Sequence, residues 1–271
     1  MHKTFIFLLG LLSISCSDNR GFDYDTTYQA AFDSILDSLD MSGTVVVLDP
    51  QTKTYYSNDF ELAKTGFIPA STFKIPNAII AMEASLITDP ETILPWDGAP
   101  RDLEIWERDM TFQEAFRTSC VPCFQEIARD IGEERMKGYL NKLRYGKMDV
   151  QNDVDQFWLR GSSRISPIEQ IDFLARLHSK KLPILTSTRE KILKMMEIEQ
   201  QDSYRFGGKS GLFRDDDEIQ GWFVGYLVEA QKIYYFALHA EPLDPARVDE
   251  FIPHREQAVR SALHTMGLIK N

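Results

Sequence analysis

Pro69-Ala-Ser-Thr-Phe-Lys-Ile-Pro76 sets a hydroxyl at Ser71 and an amine at Lys74, three residues apart. On a helix, positions three apart lie on one face, so the two groups can meet. A serine hydroxyl is a weak nucleophile until a base takes its proton. A lysine is that base only where its surroundings keep it neutral, and burial or the positive end of a helix does this. Pro69 suits a helix start. No other Ser-x-x-Lys occurs in the 271 residues. The spacing alone also fits a surface serine beside a solvated lysine, so its neighbours along the chain decide its meaning.

Working outward, the helix that carries Ser71 is expected to run to about Leu86. Before it, Gly43-Thr-Val-Val-Val-Leu48 and Thr54-Tyr-Tyr56 flank Asp49-Pro-Gln-Thr-Lys53, a hairpin pattern. Phe32 to Leu39 reads as a short amphipathic helix, and residues 17–30 as a polar tether. From residue 87 to about 199 the pattern is mostly helical. Tyr204 to Phe213, Gln220 to Glu229 and Ile233 to His239 then form a three-strand meander, closed by a helix over Glu250 to Met266. Strands at both ends with helices between them predict one α+β unit over 31–268. Its mixed part covers 31–86 and 200–268, and its helical part 87–199.

Lys209-Ser210-Gly211 lies in the first meander strand. A strand edge with a cation, a hydroxyl and a glycine suits a substrate lying alongside it. Lys64-Thr65-Gly66 has the same pattern but sits five residues before Ser71, too close to face it. Ser119 opens a helix over Val121 to Ile131. It reads as a helix N-cap, as a hydroxyl that relays a proton, or as both.

Ser-x-x-Lys, Ser-x-Val and Lys-Ser-Gly in this order resemble the penicillin-recognising serine enzymes. The finer pattern is similar to the class D, oxacillinase-type β-lactamases. It is carried by the Ser71 stretch, Trp106-Glu-Arg-Asp109, Val121-Pro122 with Gln125-Glu-Ile-Ala-Arg129, Phe157-Trp-Leu159 with Arg164-Ile-Ser166, Gly221-Trp-Phe-Val-Gly225 and Pro253-His-Arg255. The resemblance implies that family's fold, a central antiparallel sheet flanked by helices with an inserted helical domain. It implies an acyl-enzyme on Ser71 and a carbamate on Lys74 formed from carbon dioxide, held by the indole of Trp158 and walled by Phe73 and Val121. It also implies an oxyanion hole from the N–H groups of Ser71 and Leu212, and a carboxylate site at Lys209, Ser210 and Arg255. No other cofactor is implied, and the substrate is a small β-lactam. A penicillin sensor, acylated once and not turned over, shares these motifs. Tyr145-Gly146-Lys147 departs from the family's Tyr-Gly-Asn, and Cys120 and Cys123 stand where small aliphatic residues are usual.

The remaining features bound the reading. A net charge of −11, from 41 acidic and 30 basic residues, with no basic stripe bearing aromatics, argues against nucleic acid. His2, His178, His239, His254 and His264 lack ligand spacing, so no metal site is expected. Asp215-Asp-Asp-Glu218 reads as a solvated hairpin tip. Cys-Val-Pro-Cys at 120–123 has dithiol spacing but not the strand–helix context of a redox enzyme. Two small residues packed under a helix, with an occasional disulfide, is the expectation. Residues 1–15 read as an export signal, with Cys16 a lipidation site and mature start or simple secretion as the alternative. Export to the periplasm follows, with membrane contact only through that lipid.

Overall fold

The computed structural model describes residues 24–151, 153–216 and 218–269. The proposed signal and the Cys16 lipidation site lie outside the described residues. The chain opens with β1 (Asp25–Tyr28), α1 (Ala30–Ser38), β2 (Met41–Asp49), β3 (Thr54–Ser57) and α2 (Phe60–Lys64). A 3-10 turn, Ala70–Phe73, runs directly into α3 (Lys74–Glu83). The helical part holds the short pair β4 (Ile93–Leu94) and β5 (Met110–Thr111). After these come α4 (Phe112–Arg117), α5 (Val121–Ile131), α6 (Glu133–Leu143), α7 (Pro167–His178) and α8 (Thr186–Met196). The chain closes with β6 (Glu197–Gln200), β7 (Tyr204–Arg214), β8 (Ile219–Glu229), β9 (Lys232–Pro242) and α9 (Val248–Thr265).

Seven strands form one sheet in the order β1-β3-β2-β9-β8-β7-β6, joining both chain ends in one layer. All its pairings are antiparallel except β1 with β3. Val45, Val47, Phe206, Phe223 and Phe236 are buried with Phe32, Ala258 and Leu263, so α1 and α9 cover one face. Val46, Leu48, Trp222, Val224 and Ala237 join a second core with α3, α5 and α7. Alternate residues of one strand enter opposite cores, as the two-residue period of a strand requires.

The structure corrects several sequence expectations. Residues 25–28 belong to the sheet, not to a tether: β1 pairs along β3 from Asp25↔Thr54 to Tyr28↔Ser57. All four residues are exposed, so the apolar alternation that marks a strand is missing. The Ser71 element is a 3-10 turn followed by a helix that ends at Glu83 rather than Leu86. The N-cap of α5 is Cys120, not Ser119. Among the described residues no helix is long and apolar enough to cross a membrane.

Candidate active site

The apolar residues of the 3-10 turn, Ala70 and Phe73, are buried in the core shared with α3, α5 and α7. Ala70 adopts φ 48°, a left-handed conformation costly for a residue with a Cβ and kept only where surroundings enforce it. The surroundings are specific. Ala70 N donates to Trp158 O at 2.9 Å, and Trp222 Nε1 donates to Ile68 O at 2.8 Å. Below the turn, Thr72 Oγ1 donates to Pro69 O at 2.6 Å and accepts from Gln170 Nε2 at 2.8 Å. Tyr145 OH donates to Gln170 Oε1 at 3.1 Å. Thr72 and Tyr145 lie in stretches quoted above, but nothing in the sequence joins them, and Gln170 carries no spacing signal of its own.

The turn aims Ser71 and Lys74 at each other, with Lys74 Nζ 2.9 Å from Ser71 Oγ. Lys74 is fully buried, its Nζ 5.4 Å from the Phe124 ring centre. Among the described residues no carboxylate pairs with it. Burial, and then the positive charge of Lys209, hold the amine well below the usual lysine range. The shift favours the uncharged amine beside the hydroxyl. Trp158 stacks on Phe73 with ring centres 5.1 Å apart and is itself fully buried. Its indole Nε1 is buried, with no hydrogen-bond partner among the described residues. Such a donor costs about 1–3 kcal/mol to leave unmet, so the pocket favours an acceptor at this position.

Across from the turn runs β7. Its neighbour β6 pairs with it only over Arg205–Gly207, leaving the edge from Gly208 onward without a strand partner. A Cβ on Gly211 would stand 3.3 Å from both Ser71 N and Pro69 O. Glycine here lets the strand that carries Lys209, Ser210 and Leu212 close on the nucleophile. Ser119, at φ 57°, presents its Oγ to Lys209 Nζ, which also donates to Ser210 O at 3.0 Å. Arg255 comes from α9, donating through Nη1 to Gly211 O and through Nε to Ile252 O at 3.0 Å. A Cβ on Gly221 would lie 2.5 Å from Arg255 Cδ, so the glycine is the seat of this side chain.

Lys209 and Arg255 are both buried, yet neither has a carboxylate partner among the described residues. Burial, then the charge of Arg255, lowers the Lys209 amine to about 7, and burial lowers Arg255 to about 10. Two desolvated cations without a counter-charge make an anion site. With Ser210 they line a cavity of about 750 Å³ that also reaches Phe116, Met195 and Pro253. Ser71 and Lys74 lie outside its wall, and the chemistry rather than the cavity's size locates the reacting centre. Val121 stands half-buried in the first turn of α5. Lys147 keeps a paired backbone bridge to Arg164 at 2.8 Å each way, which no side chain at 147 is needed to make. Cys120 and Cys123 form a disulfide. Among the described residues no group of three or more His, Cys, Asp or Glu is placed to hold a metal ion.

Comparisons with known proteins agree with this geometry. Residues 43–247 match the family described as penicillin binding protein transpeptidase domain. Beta-lactamase OXA-10 of Pseudomonas aeruginosa is 31% identical over 259 residues, 94% of this chain and 96% of that protein. The crystal structure of a class D beta-lactamase from Sebaldella termitidis superposes with a TM-score of 0.86 at 30% identity, covering 91% of this chain and all of that one. The regulatory protein BlaR1 of Bacillus licheniformis is 29% identical over 211 residues, only 35% of its own length.

Proposed function

This chain belongs to the class D serine β-lactamases, and from that premise we propose that it opens penicillin-type lactams through an acyl-enzyme on Ser71, with Lys74 carboxylated. One observation carries the proposal: Trp158 Nε1 is buried with no hydrogen-bond partner among the described residues, beside the turn that holds a buried Lys74 without a carboxylate partner. A carbamate on Nζ would give that donor an acceptor. It needs only a free amine lone pair, the carbon of carbon dioxide, and loss of one proton to solvent. Trp158 and the apolar walls at Phe73 and Val121 would hold it. When present it supplies a general base at Ser71.

The chain's own residues do the rest. Ser71 Oγ attacks the lactam carbonyl, and the N–H groups of Ser71 and Leu212 receive the oxygen on which charge develops. Ser119 Oγ passes a proton to the departing ring nitrogen and is resupplied through Lys209 Nζ, with which it is already hydrogen-bonded. Lys209, Ser210 and Arg255 hold the substrate carboxylate. Water then attacks the Ser71 ester and frees the enzyme. Export through residues 1–15 and lipid attachment at Cys16 belong to the same proposal. The mass of the processed N-terminus in a membrane fraction tests them.

The similarity to BlaR1 favours one alternative, a sensor that is acylated and holds the adduct. A time course of chromogenic cephalosporin hydrolysis, with bicarbonate present, separates the two. Turnover of many equivalents, abolished by Ser71→Ala, supports the hydrolase. A burst of one equivalent followed by a plateau overturns it in favour of the sensor.

A further inference from the structure

We propose that the Cys120–Cys123 disulfide is a thiol-exchange site coupled to Ser119, with Cys123 the sulfur attacked and a low-molecular-weight thiol the reagent. The coupling rests on the reading of Ser119 as part of the hydrolytic site; the exchange chemistry does not.

The two sulfurs are unequally placed. Cys120 is fully buried, whereas Cys123 is only partly so and lines a cleft of about 190 Å³ with Leu94, Trp96, Trp106, Arg101 and Glu126. That volume takes a small thiol but not a folded reductant, so attack falls on Cys123. Cys120 caps α5, its Sγ accepting the Cys123 N–H at 3.3 Å. A thiolate left there keeps the Cys123 N–H as a hydrogen-bond donor at the start of the helix, which favours Cys120 as the leaving sulfur. The exchange is balanced. The incoming thiol gives its proton to solvent, and its thiolate attacks Cys123 Sγ. The S–S bond breaks with its electron pair on Cys120 Sγ, leaving one mixed disulfide and one thiolate.

The consequence falls on the neighbouring residue. Ser119 sits at φ 57°, a left-handed conformation that a non-glycine residue keeps only where its surroundings over-determine it. Besides the contact of Ser119 Oγ with Lys209 Nζ, hydrogen bonds to backbone oxygens hold this turn. Ser119 N donates to Phe116 O at 3.3 Å, Cys120 N to Ala115 O at 2.9 Å, and Trp106 Nε1 to Thr118 O at 3.1 Å. The cross-link ties Cys120 to the first turn of α5 and adds one more constraint. Opening it lets the Ser119 turn relax and its hydroxyl leave Lys209.

The test exposes the full chain, prepared without reductant, to free cysteine for timed intervals. Each sample is divided between chromogenic cephalosporin hydrolysis and acid quench, alkylation and peptide mass mapping. The expected result is a cysteinyl adduct on Cys123, alkylated Cys120, and an initial rate that falls about tenfold in step with the adduct. Reoxidation restores the rate, and a Cys120→Ala/Cys123→Ala variant does not respond to thiol. An adduct on Cys120, reduction only by a protein dithiol, or an unchanged rate at full modification would each overturn the proposal. Thiol-sensitive turnover in the double variant would do the same. If the oxidised protein hydrolyses no lactam, the hydrolytic reading has failed; the mapped adduct still decides whether Cys123 is an exchange site.

Discussion

Lys74 and Lys209 are the same residue type, both buried and both without a carboxylate partner among the described residues, yet the two sides of the site use them oppositely. Around Lys74 the walls are aromatic: Phe73 and Trp158 lie stacked, and Phe157 stands edge-on to both. Only the Phe124 ring face and the Ser71 hydroxyl meet the amine, with no carboxylate among the described residues, and burial lowers its pKa well below the usual lysine range. Lys209 instead borders an open cavity with Ser210 and Arg255, and its amine is lowered only to about 7. An incoming carboxylate would raise that value again. In the proposed mechanism, exclusion of water makes a reactive base on one side. On the other, access makes a charge that waits for its counter-ion.

Breaking the closed side should cost most. Ser71→Ala removes the nucleophile and should lower turnover by at least about 10⁴-fold, measured under saturating lactam. Lys74→Ala should slow acylation by roughly 10²–10⁴-fold, the usual worth of a positioned base. Stopped-flow acylation measures it, and added bicarbonate should restore nothing. A rescue by bicarbonate in that variant would contradict carboxylation at Lys74.

Trp158→Phe sharpens the comparison, because activity and stability should move apart. The ring stack on Phe73 is retained, and a donor that costs about 1–3 kcal/mol when buried unmet disappears. The smaller ring leaves a cavity that offsets this gain, so thermal stability without bicarbonate should change little, while deacylation slows by about tenfold or more. A variant that loses stability and activity together would make Trp158 a packing residue.

On the open side the effects should be smaller and fall on KM. Arg255→Ala should raise KM by about 10–100-fold, the worth of a charged hydrogen bond of roughly 1.5–3 kcal/mol, with kcat changed less. Raising the pH through about 7 should raise KM as free-enzyme Lys209 loses its charge. The linked stability has the opposite sign. Between about 7 and the ordinary lysine value of 10.5, the unfolded chain binds a proton that folded Lys209 does not, so this residue's contribution to stability grows with pH. Denaturant midpoints of wild type and Lys209→Met across that window measure the difference.

How far the sequence is legible follows the same division. The hairpin and the meander are readable because β2, β8 and β9 carry apolar runs bounded by turn residues. The facing of Ser71 and Lys74 is readable from spacing. Gly211 is flagged by its place in Lys-Ser-Gly, although only the fold shows its close approach to Ser71 N. β1 is silent because all four residues face water, and pairing with β3 alone makes it a strand. The shift of the α5 cap from Ser119 to Cys120 depends on the left-handed backbone at Ser119, which no residue type there announces. The support under the turn, Thr72 with Tyr145 and Gln170, joins residues up to 98 positions apart, beyond any local pattern. The vacancy at Trp158 Nε1 is a property of packing, visible only once the surrounding groups are counted.

The most direct measurement is a carbon-13 spectrum of the protein equilibrated with labelled bicarbonate. Carboxylation predicts a carbamate signal that is lost in Lys74→Ala, is weakened in Trp158→Phe, and fades on acidification as protonation of the amine opposes it. A wild-type spectrum with no protein-bound signal, from protein that still hydrolyses lactam, would contradict the central claim and leave the unmodified Lys74 amine as the base.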